Sequence, residues 1–168
     1  MRELFFLFVH TPGLLTKEQV GEILWPESAP ETLKLRFKNE LYRLRRAVGQ
    51  NVVLFDGSAY RFNRNLDFEY DVDVFENNLQ RARDARDAEE KLRACQEAVA
   101  VVRGLYLEEI DSTWVLADRE RYRQEYLDAL LTLAGLLLER KETEEALKVC
   151  QYALASNKTF EEAYRLMM

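Results

Sequence analysis

The sequence is poor in the residues that interrupt helices. In 168 residues it has six glycines and three prolines. This scarcity, together with long runs of Ala, Leu, Glu, Arg and Gln, favours helix over sheet. The chain is 48% hydrophobic and 32% charged, which is ordinary globular composition and excludes extensive disorder. We therefore predict a mostly α-helical globular protein.

Residues that bind metals and catalyse reactions are also scarce. The two cysteines, Cys95 and Cys150, are not spaced as a zinc motif, and each lies inside an apolar helical pattern. His10 is the sole histidine and has no cysteine or acid near it in sequence to complete a ligand set. No phosphate-binding glycine loop is present. We predict a protein that is not an enzyme and has no metal site and no cofactor.

Long hydrophobic runs are missing as well. The apolar stretch "LFFLFV", Leu4–Val9, is too short to span a membrane, and its charged and polar neighbours do not suit a signal peptide. We expect a cytoplasmic protein that makes no membrane contact. A reducing compartment also agrees with two cysteines that form no disulfide framework.

Charge is divided unevenly along the chain. Residues 1–64 carry a net charge of +3 and residues 65–168 carry −9, within a total of −6. The cations of the first part concentrate in "TLKLRFKNELYRLRRAVG", Thr32–Gly49, which has six cationic side chains and one acid. A basic segment in an acidic protein favours a polyanionic partner for that segment.

The first part of the chain predicts three helices. Leu4–Val9 is nearly all apolar, so it predicts a helix buried on most sides. Thr16 and Gln19 have capping-box spacing and open a short helix, whose predicted buried residues are Val20, Ile23 and Leu24. Ser28 and Glu31 repeat the capping-box spacing and predict the start of a third helix, which ends at Gly49.

The third helix has two contrasting faces. Its apolar stripe, which we expect to face the core, consists of Leu33, Phe37, Leu41, Leu44 and Val48. The rest of its surface carries Arg36, Lys38, Asn39, Tyr42, Arg43, Arg45 and Arg46. Cations neutralise phosphates, and Asn and Arg can bond to base edges in a major groove. Such a face suits a DNA-reading helix or, alternatively, a solvated face whose cations complement the helix dipole.

The segment "VVLFDGSAYRF", Val52–Phe62, predicts two short strands around an Asp-Gly turn. Tyr60 and Phe62 would point inward and Arg61 outward. The order helix, turn, helix, hairpin is that of a winged helix-turn-helix.

These motifs resemble a known family. "LTKEQVGEILWPE", "LYRLRRAVG" and "GSAYRF" are similar to the winged-helix domain of response-regulator type activators, particularly the antibiotic regulatory protein (SARP) type. The resemblance implies a third helix in the major groove and a wing arginine at the adjacent minor groove. It implies base contacts for Lys38, Asn39 and Arg43, and phosphate or flanking contacts for Arg36, Tyr42 and Arg46. Arg61 would be the wing arginine.

The chain departs from the family pattern in two ways. Glu40 and Asp56 place negative charge near the proposed DNA surface, and the family's N-terminal sheet is missing before the first helix. The resemblance also implies that "WPESAPE" is offered to RNA polymerase. A structural role explains the same segment equally well. Trp25 would pack in the core, Pro26 would end one helix, and Ser28 would cap the next.

The second part of the chain predicts helical pairs. Residues 65–74 lie in a stretch without helical period and are expected to be a junction, and residues 75–168 read as helical repeats. Two repeats align at Phe75 and Leu127, Ala82 and Ala134, Ala85 and Leu137, Ala94 and Ala146, and Ala98 and Cys150. This pattern fits tetratricopeptide (TPR) repeats, with a third repeat beginning at Phe160 and cut off at Met168.

The stretch between these repeats, "GLYLEEIDSTWVLADRERYRQEYL", resembles the bacterial transcriptional activation domain that follows the winged helix in the same activators. We expect Trp114, Tyr122 and Tyr126 to pack in the core. The acids Glu108, Glu109 and Asp111 suit a solvated surface or a basic partner.

Taken together, the sequence predicts a fragment of a bacterial sequence-specific transcriptional activator that binds double-stranded DNA. RNA polymerase and a second copy of the chain on repeated DNA sites are further implied partners. The alternative is a TPR-type interaction module whose winged helix docks a protein, which the pI near 5.0 and the two acids favour. Nonspecific RNA binding ranks third, because we expect no exposed aromatic platforms.

Overall fold

A computed structural model describes residues 1–157 and 160–168. The chain forms two compact units, Met1–Phe68 and Glu69–Met168. Within the described residues the structure is mostly helical, as predicted, with a small β-hairpin.

The first unit begins with helices α1 (Arg2–His10), α2 (Lys17–Leu24) and α3 (Pro30–Val48). An antiparallel hairpin follows, made of β1 (Val53–Asp56) and β2 (Ala59–Phe62). Helix α1 contacts α2, α3 and β2. Its buried residues are Leu4, Leu7, Phe8 and Val9. This apolar helix therefore lies at the centre of the core of the unit.

One predicted helix start is confirmed and the other is wrong. The Thr16 hydroxyl accepts a bond from the Gln19 backbone N–H at 3.2 Å, and the Gln19 side chain accepts one from the Thr16 N–H at 2.8 Å. Helix α3, by contrast, begins at Pro30 after Ala29, without a side-chain cap. Proline at the first helical position has a preset φ and no orphan N–H, so it can start the helix alone. The Ser28 N–H instead donates to the Trp25 carbonyl at 2.9 Å.

The apolar stripe of α3 packs as predicted for Leu33, Phe37, Leu41 and Leu44, which are buried. The prediction for Val48 is wrong, because this residue is 53% exposed. Val48 is the last residue of the helix, where α3 has passed the edge of the core. Likewise Val20 is buried in α2, whereas Ile23 and Leu24 are only half-buried.

Nonlocal bonds attach the hairpin to the helices. Leu15, between α1 and α2, exchanges both backbone hydrogen bonds with Tyr60 of β2, each at 2.8 Å. Arg45 of α3 donates from Nη2 to the Val53 carbonyl at 2.8 Å. The turn between the strands consists of Gly57 and Ser58, with Gly57 in the left-handed region at φ +66°. The hairpin is thus held beside α3.

The second unit contains α4 (Asp71–Asp84), α5 (Ala88–Val101), a 3₁₀ turn at Thr113–Val115, α6 (Leu116–Glu139), α7 (Thr143–Ser156) and α8 (Glu161–Met167). Helices α4 and α5 pack as one pair and α6 and α7 as another, and α5 also contacts α6. Helix α4 begins inside segment 65–74, where the sequence pattern predicts no helix. Asp71 accepts a bond from the Val72 N–H at this helix start, a local signal that apolar periodicity does not register.

Small side chains form the contacts within these pairs. Ala82, Ala94, Ala98, Ala134, Ala146 and Cys150 are all buried. Ala85 is only half-buried, because α4 has already ended there. In the part of the chain that the structure describes, no helix combines the length and apolar character needed to cross a membrane.

Candidate nucleic-acid interface

The surface of α3 that faces away from the core is the most cationic helix face of the first unit. Successive helical residues are rotated by about 100°, so positions between the core residues point outward. Glu31 and Thr32 of the first turn are exposed there, and from the second turn onward the exposed residues include Leu35, Arg36, Lys38, Asn39, Tyr42, Arg43 and Arg46. We call this second set the outer face of α3. It includes every α3 residue to which the family resemblance gives a role in DNA binding.

Two arginines of the outer face are held by neighbours. The Arg36 guanidinium lies over the Trp25 ring, 4.7 Å from its centroid. Arg43 donates from Nη1 to Glu40 Oε1 at 3.0 Å. These contacts restrict two long side chains that would otherwise lose rotamer freedom on binding.

Glu40 lies at the edge of the outer face and its charge is compensated. Its carboxylate contacts the amino group of Met1 as well as Arg43. The hydrogen bond from that amino group, with the positive charges of both partners, lowers the pKa of Glu40. Its ion pair with Arg43 therefore reduces the repulsion of phosphate expected from Glu40.

Arg45 does not belong to this face, although the sequence placed it on the outer arc. Its side chain is half-buried and bonds the Val53 carbonyl. Arg45 therefore links the helix to the hairpin and is not offered to a partner.

The wing arginine is less free than expected. Arg61 lies on β2 opposite Leu54, and its side chain is half-buried. The exposed tip of the hairpin consists instead of Asp56, Gly57 and Ser58. The structure thus places Arg61 along the strand of the hairpin and leaves the tip itself without a cation.

Sequence reasoning missed some exposed apolar residues. Leu35 is 62% exposed on α3, and Phe55 is 54% exposed on β1. Tyr42, which the sequence places on the outward surface of α3, is 63% exposed. The Phe55 ring packs against that of Tyr60, its partner across the hairpin, with the ring centroids 4.8 Å apart. The exposure of Leu35 could have been predicted, because this leucine lies outside the apolar stripe of α3.

The second unit holds a connection with three exposed acids. Arg119 of α6 donates to the carbonyls of Tyr106 at 2.8 Å and Ile110 at 2.9 Å, and also to that of Leu107. Leu107 has a left-handed φ of +45°. This turn of backbone is therefore fixed by one guanidinium, and the exposed acids it carries are Glu108, Glu109 and Asp111.

An aromatic cluster lies beneath this connection. Tyr122 packs against Phe75 and Tyr106, with ring centroids 6.3 and 4.9 Å apart. The Tyr70 and Tyr106 hydroxyls are 3.1 Å apart, and the Tyr122 hydroxyl donates to Glu76 at 2.8 Å. Burial raises the pKa of Tyr106 to about 12. Tyr122 is buried as predicted, and Trp114 is half-buried in the 3₁₀ turn.

Comparison with known proteins identifies the second unit. Residues 70–168 match the family described as bacterial transcriptional activator domain, which is regulatory and not enzymatic. No curated protein matches the chain. The family match covers more than half of the sequence and includes the helical pairs and the Arg119 connection. The chain therefore belongs to the bacterial transcriptional activator domain family.

Proposed function

We propose that this chain is the DNA-binding and assembly part of a bacterial transcriptional activator. Its first unit acts as a winged helix-turn-helix, with α3 in the major groove and the hairpin beside the minor groove. The observation that carries the proposal is the outer face of α3, with four exposed cations, an amide and a phenol, in a chain of an activator family.

The chemistry of the outer face suits duplex DNA. Arginine forms bidentate bonds with guanine, and asparagine does so with adenine, both on the major-groove edge. We assign base contact to Lys38, Asn39 and Arg43. Phosphate or flanking contact falls to Arg36, Tyr42 and Arg46, and Arg61 serves the wing. Phosphate contacts fix the position of the helix while base contacts select the sequence.

The second unit provides protein contacts in this proposal. Its paired helices with small buried residues suit a TPR-like repeat, a scaffold that binds partners through extended surfaces. RNA polymerase, through the connection between α2 and α3, and a second copy of the chain on repeated DNA sites are the partners we propose. The whole would operate in the cytoplasm.

A second candidate function is docking of a protein by the first unit. The exposed Leu35 and Tyr42 favour it, since apolar and aromatic side chains are enriched at protein interfaces. The two functions differ in their response to salt. Phosphate binding weakens steeply as salt rises, whereas an apolar contact does not.

Selection from a random duplex DNA pool tests the proposal. The chain should enrich one sequence, and the logarithm of its affinity should fall linearly with the logarithm of salt concentration, by roughly 0.9 for each phosphate that a cation neutralises. A single-stranded competitor of the selected sequence should bind more weakly than the duplex. Absence of any enriched sequence at low salt would support the docking function instead.

A further inference from the structure

Leu35 occupies a position on α3 where a leucine has no role in the core. It is 62% exposed, while the leucines at positions 33, 41 and 44 of the same helix are buried. Single exposed leucines are common and need no explanation by themselves. This one, however, lies within the outer face, among the side chains proposed to read DNA.

Helical geometry places Leu35 on the centre line of that face. Residues separated by three or four positions lie above one another on a helix. Leu35 therefore shares a line with Asn39, Tyr42 and Arg46, all exposed and opposite the buried stripe. Any duplex that receives Asn39 in its major groove also receives Leu35.

The position along the helix is as informative as the face. Leu35 lies in the second turn of α3, which begins at Pro30. In helix-turn-helix proteins the N-terminal residues of the recognition helix contact base edges. Leu35 is thus in the part of α3 that approaches bases, while Arg46 near the C-terminal end is placed for the backbone.

We propose that Leu35 is a specificity-determining residue that packs against the 5-methyl group of a thymine. This inference rests on the proposed DNA-binding function. Thymine alone among the four bases carries an apolar group on its major-groove edge. Facing any other base, the leucine would cover donors or acceptors without replacing their bonds to water. The residue therefore favours thymine and disfavours the other three bases at one position of the site.

The test replaces each thymine of the selected duplex by deoxyuracil, which removes the methyl group and keeps every hydrogen-bonding group. At one position the wild-type chain should bind about fourfold more weakly after this replacement, the effect of one buried methyl. Leu35→Ala should bind the thymine and uracil duplexes equally. Leu14→Ala, which shortens an exposed leucine outside α3, should keep the wild-type discrimination.

The outcomes separate this inference from the function beneath it. If the chain binds the selected duplex and no uracil replacement distinguishes wild type from Leu35→Ala, the inference is wrong and DNA binding stands. If the chain selects no duplex, both are wrong. If Leu35→Ala loses the discrimination between thymine and uracil while Leu14→Ala keeps it, the result supports both DNA binding and the thymine contact.

Discussion

Gly21 shows how a single residue sets the approach of two helices. It is buried in α2, and a Cβ placed there would lie 2.5 Å from Leu33 Cδ2 and 3.1 Å from Leu33 Cγ. Leu33 is itself buried in α3, so it has little room to move. The absence of a side chain at Gly21 therefore permits the contact between α2 and α3.

We expect Gly21→Ala to lower the free energy of unfolding by about 1 kcal/mol. Overpacking costs about 1–3 kcal/mol, and the better helix propensity of alanine returns up to about 1 kcal/mol. Gly135→Ala is the matched control, because nothing lies within 4 Å of its Cβ position in α6. That variant should be as stable as wild type or more stable. Urea unfolding of both measures the difference, and equal effects would contradict the packing account.

At the scale of elements, the connection between α5 and α6 depends on one side chain. The Arg119 guanidinium satisfies three backbone carbonyls at once, and its planar fork suits that arrangement better than a lysine ammonium. We expect Arg119→Lys and Arg119→Ala each to cost about 2 kcal/mol, since carbonyls lose a charged donor. Thermal unfolding measures this.

Arg123→Ala is the control for Arg119. Arg123 lies one turn further along α6 and pairs with Glu120 on the surface. Loss of a surface pair of this kind costs at most about 1 kcal/mol. If Arg123→Ala were as destabilising as Arg119→Ala, the connection would not depend on its carbonyl bonds.

The elements also show what a sequence can and cannot predict. Helix periodicity and the Thr16 capping box predict the helices of the first unit, and the Asp-Gly pair predicts the hairpin, because these signals are local. The Leu15–Tyr60 bridge joins residues far apart in sequence through single-residue pairing, which leaves no periodic pattern. The exposure of Val48 could not be predicted either, because it depends on where the core ends in space.

The candidate site likewise has features that the sequence predicts and features that it does not. Outer and inner faces of α3 follow from the 3.6-residue period, so the exposed positions were predictable. The half-buried positions of Arg45 and Arg61 were not, because each depends on where the hairpin lies against α3 or on strand pairing. An arginine on an amphipathic helix has the same sequence signature whether it bonds a carbonyl or faces solvent.

At the scale of the whole molecule, net charge differs between the two parts of the chain, residues 1–64 and 65–168. The first part carries +3 and the second −9. An acidic second unit repels phosphate, so under the proposed function we expect only changes in the first unit to alter DNA binding. The stability of the second unit can be tested separately, through the pH dependence of its tyrosine cluster.

Alkaline pH should weaken the second unit. Burial raises the pKa of Tyr70 and holds that of Tyr106 at about 12, whereas an unfolded tyrosine titrates near pH 10. A raised pKa means that the folded state favours the neutral phenol. This contribution is fully present below about pH 10 and is lost as pH rises toward 12.

Unfolding measured between pH 9 and pH 12 checks the direction. The stability of Tyr106→Phe should fall less steeply with pH than that of wild type, and Tyr152→Phe, which changes an exposed phenol, should keep the wild-type slope. The cluster would be excluded as the cause if Tyr106→Phe showed the full wild-type slope.

The most direct test of the account is the salt dependence of duplex binding by two double variants. Arg43→Ala with Arg46→Ala removes two cations of the outer face, and Arg83→Ala with Arg93→Ala removes two exposed cations of the second unit. We predict that the first pair weakens binding, because Arg43 loses its base contact, and flattens the logarithmic salt slope by roughly 0.9, the contribution of the phosphate that Arg46 neutralises. The second pair should leave both unchanged. Equal effects from the two pairs, or no change from the first, would contradict the assignment of α3 as the DNA-binding helix.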